Sequence, residues 1–508
     1  MNWHLDVASV AETEQLARDI AAMLRPGDLV TLGGGLGVGK TTFARALVRA
    51  LCEDAALEVP SPTYTLIQTY DAPRGPVVHA DLYRIGHPDE LDSLGWNETS
   101  ETAIVLVEWA DRIASPLPAD RLDVTFALSD APEARAVTIT AHGAFAARLG
   151  QTMAIQRLLS GAGYASAERR HLQGDASTRA YERLFRPSDG RNAILMIAPR
   201  RPDGPPVRGG RPYSQIAKLA EDVKPFVALA HGLRARGFSA PEIYAADLDA
   251  GLLLIEDLGA EGVLVEGEPV EQRYMEAVAV LAELHRMALP PTLPVTDSLV
   301  HAIPRYDLEA LLMETELLLD WYLPHRGQTA LPVTQRVAFT DIWARLLEPV
   351  LAAPITWTLR DYHSPNLIWM ENRQENQRVG IIDFQDCVLG PPAYDVVSLT
   401  QDARVDVPAD MELRLLSHYV RLRRAADPAF DPAAFALSYA VMGAQRATKI
   451  LGIFARLDKR DGKPQYLRHL PRIERNVRRC LAHPALSELK HWYETAIPAL
   501  FDDAGAAP

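Results

Sequence analysis

Two groups of residues have types and spacings suited to phosphate chemistry. Asp361 and Asn366 stand five positions apart in LRDYHSPN, and Asp383 closes the apolar run Val379-Gly380-Ile381-Ile382 just before Phe384. A loop aspartate accepts the proton of a substrate hydroxyl, so Asp361 is read as a catalytic base. Asn366 and Asp383 then supply oxygen ligands for Mg²⁺ on the phosphates of ATP. The second group is Gly34, Gly35, Leu36, Gly37, Val38, Gly39, Lys40, Thr41 and Thr42, which contains G-x-x-x-x-G-K-[ST]. Its glycines let backbone N–H groups wrap phosphates, Lys40 reaches the β- and γ-phosphates, and Thr41 holds Mg²⁺. Asp81 and Glu108 end two further apolar runs. At strand ends they face a ligand crevice, where they bind Mg²⁺ or order an attacking water for ATP hydrolysis.

The elements that must position these residues follow from periodicity. Residues 28–32 read as a buried strand leading into the glycine-rich loop, and Phe43, Ala46, Leu47, Ala50 and Leu51 mark one face of the helix after it. Ser9 and Glu12 form a capping box for an earlier helix carrying Leu16, Ile20, Met23 and Leu24. Residues 77–81 and 104–108 are strands, and 122–128 with 136–141 make a terminal hairpin. His79 alternates with the apolar positions and is given no role. In the second half, strands at 181–185 and 193–197 flank a turn. The preceding small-residue loop, with Gly174, Asp175, Ser177, Thr178 and Arg179, is placed to close over a nucleotide. The run 252–255 ends in Glu256, Asp257 and Leu258, which in a kinase-like fold form the hinge whose backbone binds adenine and otherwise an ordinary strand-to-helix connection. Residues 272–287 form a helix, and helices dominate thereafter. Asp395 is expected to cap or brace its loop. Residues 199–214, rich in Pro, Gly and Arg, are expected to be mobile and solvated.

Composition sets the frame. The chain has 508 residues, 48% hydrophobic and 23% charged, which is globular and too long for one ordinary core. Its net charge of −14 argues against a strong, direct nucleic-acid-binding surface. No apolar run approaches the ~20 residues that span a bilayer, and no signal peptide is expected. Cys52, Cys387 and Cys480 form no metal or redox spacing, as expected of a cytoplasmic protein with reduced thiols. The expected organisation is an α/β P-loop NTPase domain at 1–142, a linker at 143–152, and an α+β bilobal, protein-kinase-like domain at 153–500. The latter divides into a small lobe at about 153–258 and a helical lobe at about 259–500, with a tail at 501–508.

The first 142 residues resemble the TsaE family through GGGLGVGKTT, SPTYTL (61–66), HADLYR (79–84), LGWNE (94–98) and VEWADR (107–112). The resemblance implies a small bacterial ATPase that supports the complex making threonylcarbamoyladenosine in tRNA, with TsaB/TsaD-type partner subunits. It further implies that Thr63 lies in a nucleotide-responsive loop, that Asp81 and Glu108 serve the metal and hydrolysis, and that Trp109 lies beside the site. The remaining ~350 residues resemble the aminoglycoside phosphotransferase family. The carrying segments are LRDYHSPN (359–366), IIDFQD (381–386), GPPAYDVVSL (390–399) and LAELH (281–285). Within it, LQGDASTRAYERL (172–184) and the stretch 221–245 are most similar to the AmgK-type anomeric kinases of N-acetylmuramate and N-acetylglucosamine. An amino sugar is therefore the small-molecule acceptor the resemblance implies.

Two departures stand out. Leu359-Arg360 replaces the His-Gly often found before the catalytic aspartate. No lysine lies in 193–197, where Met196 occupies the place of the usual phosphate-pairing lysine; Arg179, Arg183 or Arg200 is left to supply the charge. Competing readings of the second half are a kinase for an aminoglycoside, choline or homoserine-type acceptor, or a nucleotide-binding regulatory module without turnover. Two independent enzymes joined only for co-expression is a third arrangement.

Overall fold

The computed structural model describes residues 1–84, 102–112, 117–129, 131–172, 179–187, 189–200, 202–328 and 330–501. The chain divides into two units. One comprises residues 1–168 with 186–190, and the other residues 169–185 and 191 onward.

The first unit is a seven-stranded sheet with helices. Its elements are β1 (Asn2–Val7), α1 (Val10–Met23), β2 (Leu29–Gly33), α2 (Lys40–Leu51), β3 (Ile67–Tyr70), β4 (Val77–Asp81), β5 (Ile104–Glu108), β6 (Leu122–Leu128), β7 (Arg135–Ala141) and α3 (Phe145–Gly161). Strand order is β1-β7-β6-β2-β5-β4-β3. The β6–β2–β5–β4 centre is parallel, and the expected β6/β7 hairpin is antiparallel. Central strands are buried on both faces, which explains their unbroken apolar runs. The period of two then sorts side chains between two cores. Ile104 and Leu106 of β5 join the core against α1 and α2, and Val105 and Val107 join the one on the opposite face. Ser9 caps α1 by accepting from the Glu12 N–H, and Glu12 Oε2 reaches back to the Ala8 N–H, one residue before the cap, at 2.8 Å.

The stretch 143–152, expected as a linker, is instead the opening of α3. The helix expected near Met153 starts at Phe145, and Phe145 and Leu149 are buried in the first unit's core. Small residues hid this, because only two large apolar side chains in AHGAFAARLGQ carry the burial.

The second unit has a five-stranded sheet built from β8 (Glu168–Leu172), β9 (Ala180–Arg186), β10 (Arg191–Ile197), β11 (Ile243–Asp247) and β12 (Leu252–Glu256). Its order is β11-β12-β10-β9-β8. Helix α4 (Lys224–Arg234) precedes β11, and α5 (Glu271–Arg286) follows β12. A mostly helical region follows, including α6 (Leu308–Leu317), α7 (Ala393–Thr400) and the 30-residue α8 (Pro432–Asp461). Short antiparallel pairs interrupt it, among them β13 (Thr356–Thr358) with β16 (Val388–Gly390), and β14 (Leu367–Trp369) with β15 (Val379–Ile381). Leu367 pairs with Ile381. That register brings Asn366, just before β14, beside Asp383, just after β15. Residues 199–214 are not simply a solvated loop. Arg208 pairs with Glu316, Arg211 with Glu309 at 2.5 Å, and Arg200 with Glu221 at 3.7 Å.

Candidate active sites

In the first unit the glycine-rich loop runs from β2 into α2. Gly34 and Gly39 adopt φ of 118° and 110°, a region that L side chains rarely enter. A Cβ at Gly34 would stand 2.3 Å from the Phe126 carbonyl oxygen. Lys40 Nζ donates to the Gly34 and Gly35 carbonyls at 2.9 and 2.8 Å and lies 3.9 Å from the Trp109 ring centre. Burial draws its ammonium below the ordinary range, opposed by Glu108, Asp81 and Asp111. Thr41 Oγ1 donates to Glu108 Oε2 at 3.1 Å, and the other Glu108 oxygen meets His79 Nε2 at 3.0 Å. His79 is fully buried, so the residue left without a role orients Glu108. Asp81 pairs in register with Glu108 across β4 and β5. It accepts from Thr63 Oγ1 at 2.9 Å and from the Tyr83 N–H at 3.0 Å. Leu36, Gly37, Val38 and Thr42 complete the loop and first helical turn. A hydroxyl beside a carboxylate suits Mg²⁺, which takes one or two protein oxygens with the phosphates supplying others. Thr41, Glu108 and Asp81 would hold it.

In the second unit the β14/β15 register assembles the catalytic group. The Asn366 amide nitrogen donates to the Asp361 carbonyl at 2.9 Å and to Asp383 Oδ2 at 3.4 Å. Arg360 and Asp383 have positive φ, 67° and 59°, so backbone strain is held on both sides of the site. The Asp361 side chain is 41% exposed and can meet an acceptor. Against its desolvation, His363, Lys449, Arg360 and Arg446 hold its carboxyl below the ordinary range, so it stays ionised. Desolvation and the neighbouring Asp361 charge push Asp383 up. A divalent cation relieves such carboxylate crowding, so Asn366 and Asp383 fit Mg²⁺.

Buried acids brace this loop. Asp395 accepts the N–H groups of Leu359 and Arg360 at 2.7 and 2.9 Å, the bracing role expected of it. Asp402 accepts from Ser364 N–H and Oγ at 2.9 and 2.6 Å. Arg360, standing where a glycine is common, reaches the Ala217 carbonyl at 2.8 Å and Glu314 Oε1 at 2.6 Å. Lys449 Nζ also reaches Glu314, at 3.1 Å.

Residues 7–137 match the model of the threonylcarbamoyl adenosine biosynthesis protein TsaE family, and residues 168–429 match that of the phosphotransferase enzyme family. The chain belongs to both families. A Caulobacter vibrioides N-acetylmuramate/N-acetylglucosamine kinase is 38% identical over 350 residues, covering 67% of this chain and 95% of that protein. The Pseudomonas putida protein of the same name is 31% identical over 324 residues, 63% of this chain and 86% of its own. A Rickettsia bellii tRNA threonylcarbamoyladenosine biosynthesis protein TsaE is 38% identical over 122 residues, 24% of this chain and 84% of its own. The protein thus fuses a TsaE-family ATPase unit to an ATP-dependent phosphotransferase unit.

In the phosphotransferase unit, one of the three candidate arginines reaches Asp383. Met196 is buried in the core. Arg179, next to β9, donates to Asp383 Oδ1 at 3.2 Å. Arg183 instead pairs with Asp257 at 2.7 Å, and Arg200 with Glu221. Gly174, Asp175, Ser177 and Thr178 lie outside the described residues, as does LGWNE of the TsaE unit. At the hinge, the Glu256 carboxylate is taken by Arg373 and Arg234 at 2.6 and 3.3 Å, and its N–H by the Glu242 carbonyl at 2.8 Å. That leaves the backbone of Asp257 and Leu258 as the better-placed nucleotide contacts. The sequence reading passed over Asp402, Glu314, Arg446 and Lys449. The last two are cations in the apolar run of α8, a signal that was legible.

Proposed function

We propose that the phosphotransferase unit moves the γ-phosphoryl of ATP to the anomeric hydroxyl of an N-acetyl amino sugar, N-acetylmuramate or N-acetylglucosamine, in cell-wall sugar recycling. The TsaE unit hydrolyses ATP in support of tRNA threonylcarbamoyladenosine synthesis, with TsaB/TsaD-type subunits as partners, in the cytoplasm. Among the described residues no helix is long and apolar enough to cross a membrane.

The observation that carries the kinase reading is the solvent-open Asp361, kept ionised beside Asn366 and Asp383, in a unit spanning nearly the whole of an amino-sugar kinase relative. Asp361 accepts the proton of the sugar hydroxyl as it attacks phosphorus. Arg179 neutralises charge from the sheet side. Asp395 and Asp402 hold the loop in place so that this geometry precedes substrate. Bound Mg²⁺ would neutralise and orient the phosphates. With Arg179 at the site, the lack of a lysine on β10 no longer favours a module without turnover.

Phosphorus NMR of a Lys40→Ala protein with Mg-ATP and single acceptors tests this. The panel is N-acetylmuramate, N-acetylglucosamine, kanamycin, choline and homoserine. A new signal coupled to the anomeric proton is the expected result. A product only with kanamycin, choline or homoserine would discard the sugar.

A further inference from the structure

The acceptor side of Asp361 contains a cation with nothing to bind. Arg446 lies on α8 and is 5% exposed. Its neighbours on the helix are engaged: Gln445 donates to Glu314 at 3.1 Å, and Lys449 to Glu314 and to the Tyr394 hydroxyl at 3.0 Å. Arg446 itself has no hydrogen bond or ion-pair partner among the described residues. A guanidinium carries five donors, and this largely enclosed one spends none of them on a described protein partner. Proteins keep such a group where a ligand completes it.

Its surroundings say which ligand. The Arg446 charge acts on Asp361, His363 and Asp395, so it looks onto the catalytic loop. Burial draws His363 below its ordinary range, against the pull of Asp402 and Asp361. Arg404 stands beside it, 3.5 Å from His363 Nε2. The nearby Glu314 is already saturated by Arg360, Lys449, Gln445 and Tyr306. Arg446 and Arg404 thus bring two guanidinium groups to the catalytic loop, where a carboxylate on an acceptor finds cationic partners. Arg446 comes from the helical region, whereas Arg179 approaches Asp383 from the sheet, which separates an acceptor contact from a nucleotide contact.

We propose that Arg446 is a specificity residue that binds a carboxylate on the acceptor, pairing with it bidentately while Asp361 takes the hydroxyl proton. The acceptor class is an acidic amino sugar. This rests on the amino-sugar reading above. N-acetylmuramate differs from N-acetylglucosamine by one lactyl ether, which carries the carboxylate, so the pair isolates the contact.

The test is steady-state kinetics of wild type, Arg446→Met and Arg446→Lys with both sugars, with thermal melting of each protein. In Arg446→Met the ratio of kcat/KM for N-acetylmuramate over N-acetylglucosamine is expected to fall on the order of 10- to 100-fold, through KM for the acid sugar. Arg446→Lys should recover part of the ratio. The melting temperature of Arg446→Met should equal or exceed that of wild type, because an unpaired buried charge is removed. Equal losses for both sugars with a raised KM for ATP would assign Arg446 to the phosphates and overturn the proposal. An unchanged ratio would overturn it too. Wild type acting on N-acetylglucosamine alone would sink the carboxylate contact and leave the sugar kinase standing. Activity on neither sugar would remove the underlying reading and the proposal with it.

Discussion

At the scale of single residues, catalysis rests on keeping one carboxylate ionised and open while its neighbours are buried. Asp361→Asn removes the proton acceptor and should lower kcat for phosphoryl transfer about 10²- to 10⁴-fold, while ATP affinity by calorimetry stays near wild type. Arg179→Met should raise KM for ATP on the order of 10-fold and leave KM for the acceptor in place, since the side chain meets the metal-binding Asp383. Asp395 gives a pH signature. Desolvation raises its carboxyl from 3.8 to about 7, against the two backbone N–H groups it accepts. The native protein then keeps a proton that the unfolded chain gives up near pH 4. The stability this confers is complete below that pH and is lost as pH rises through about 7. His285, lowered by burial from 6.5 to about 3, has the opposite sign, with stability lost as pH falls from 6.5 toward 3. Denaturation midpoints of wild type and Asp395→Asn, compared from pH 4 to 8, separate the two. The difference between the proteins should change across that window, and a constant offset would refute the assignment.

Elements convert these residues into a site by closing it from several directions. The β14/β15 pair sets Asn366 against Asp383, and α4 supports it from behind, with Phe226 stacked on Phe384 at 4.8 Å between ring centres. Helices α6, α7 and α8 meet the catalytic loop through charge. Glu314 of α6, fully buried, holds the buried Arg360 of the loop and the largely enclosed Lys449 of α8. Deleting that carboxylate leaves two buried cations facing each other. Glu314→Ala should therefore destabilise the phosphotransferase unit by about 3–5 kcal/mol, read as a shift in denaturant midpoint. Its activity should fall as well, because Arg360 positions the backbone of Asp361. A change below about 1 kcal/mol would mean that the cluster is not an energetic unit.

At the scale of the whole molecule, two phosphate machines of unrelated design share one chain. Each has its own core. Lys40→Ala should stop ATP hydrolysis by the TsaE unit and leave sugar phosphorylation unchanged, with Asp361→Asn doing the reverse. A loss of both activities in either variant would reveal coupling that independent sites lack. Much of this was legible in sequence because the constraints are local. The P-loop needs glycines at Gly34 and Gly39 for backbone reasons, and strands buried on both faces must be apolar throughout. Asp361, Asn366 and Asp383 sit within one short stretch, so spacing alone revealed them. What sequence by itself did not determine was every partner contributed from afar. Glu314, Asp402, Arg446 and Lys449 act through contacts or charge spanning tens of residues of chain. The first turns of helix α3 were read as a linker because their burial depends on which core Phe145 and Leu149 can reach. The meeting of Arg179 with Asp383 was hidden for the same reason: only the tertiary fold decides which residue brings a charge to a given place.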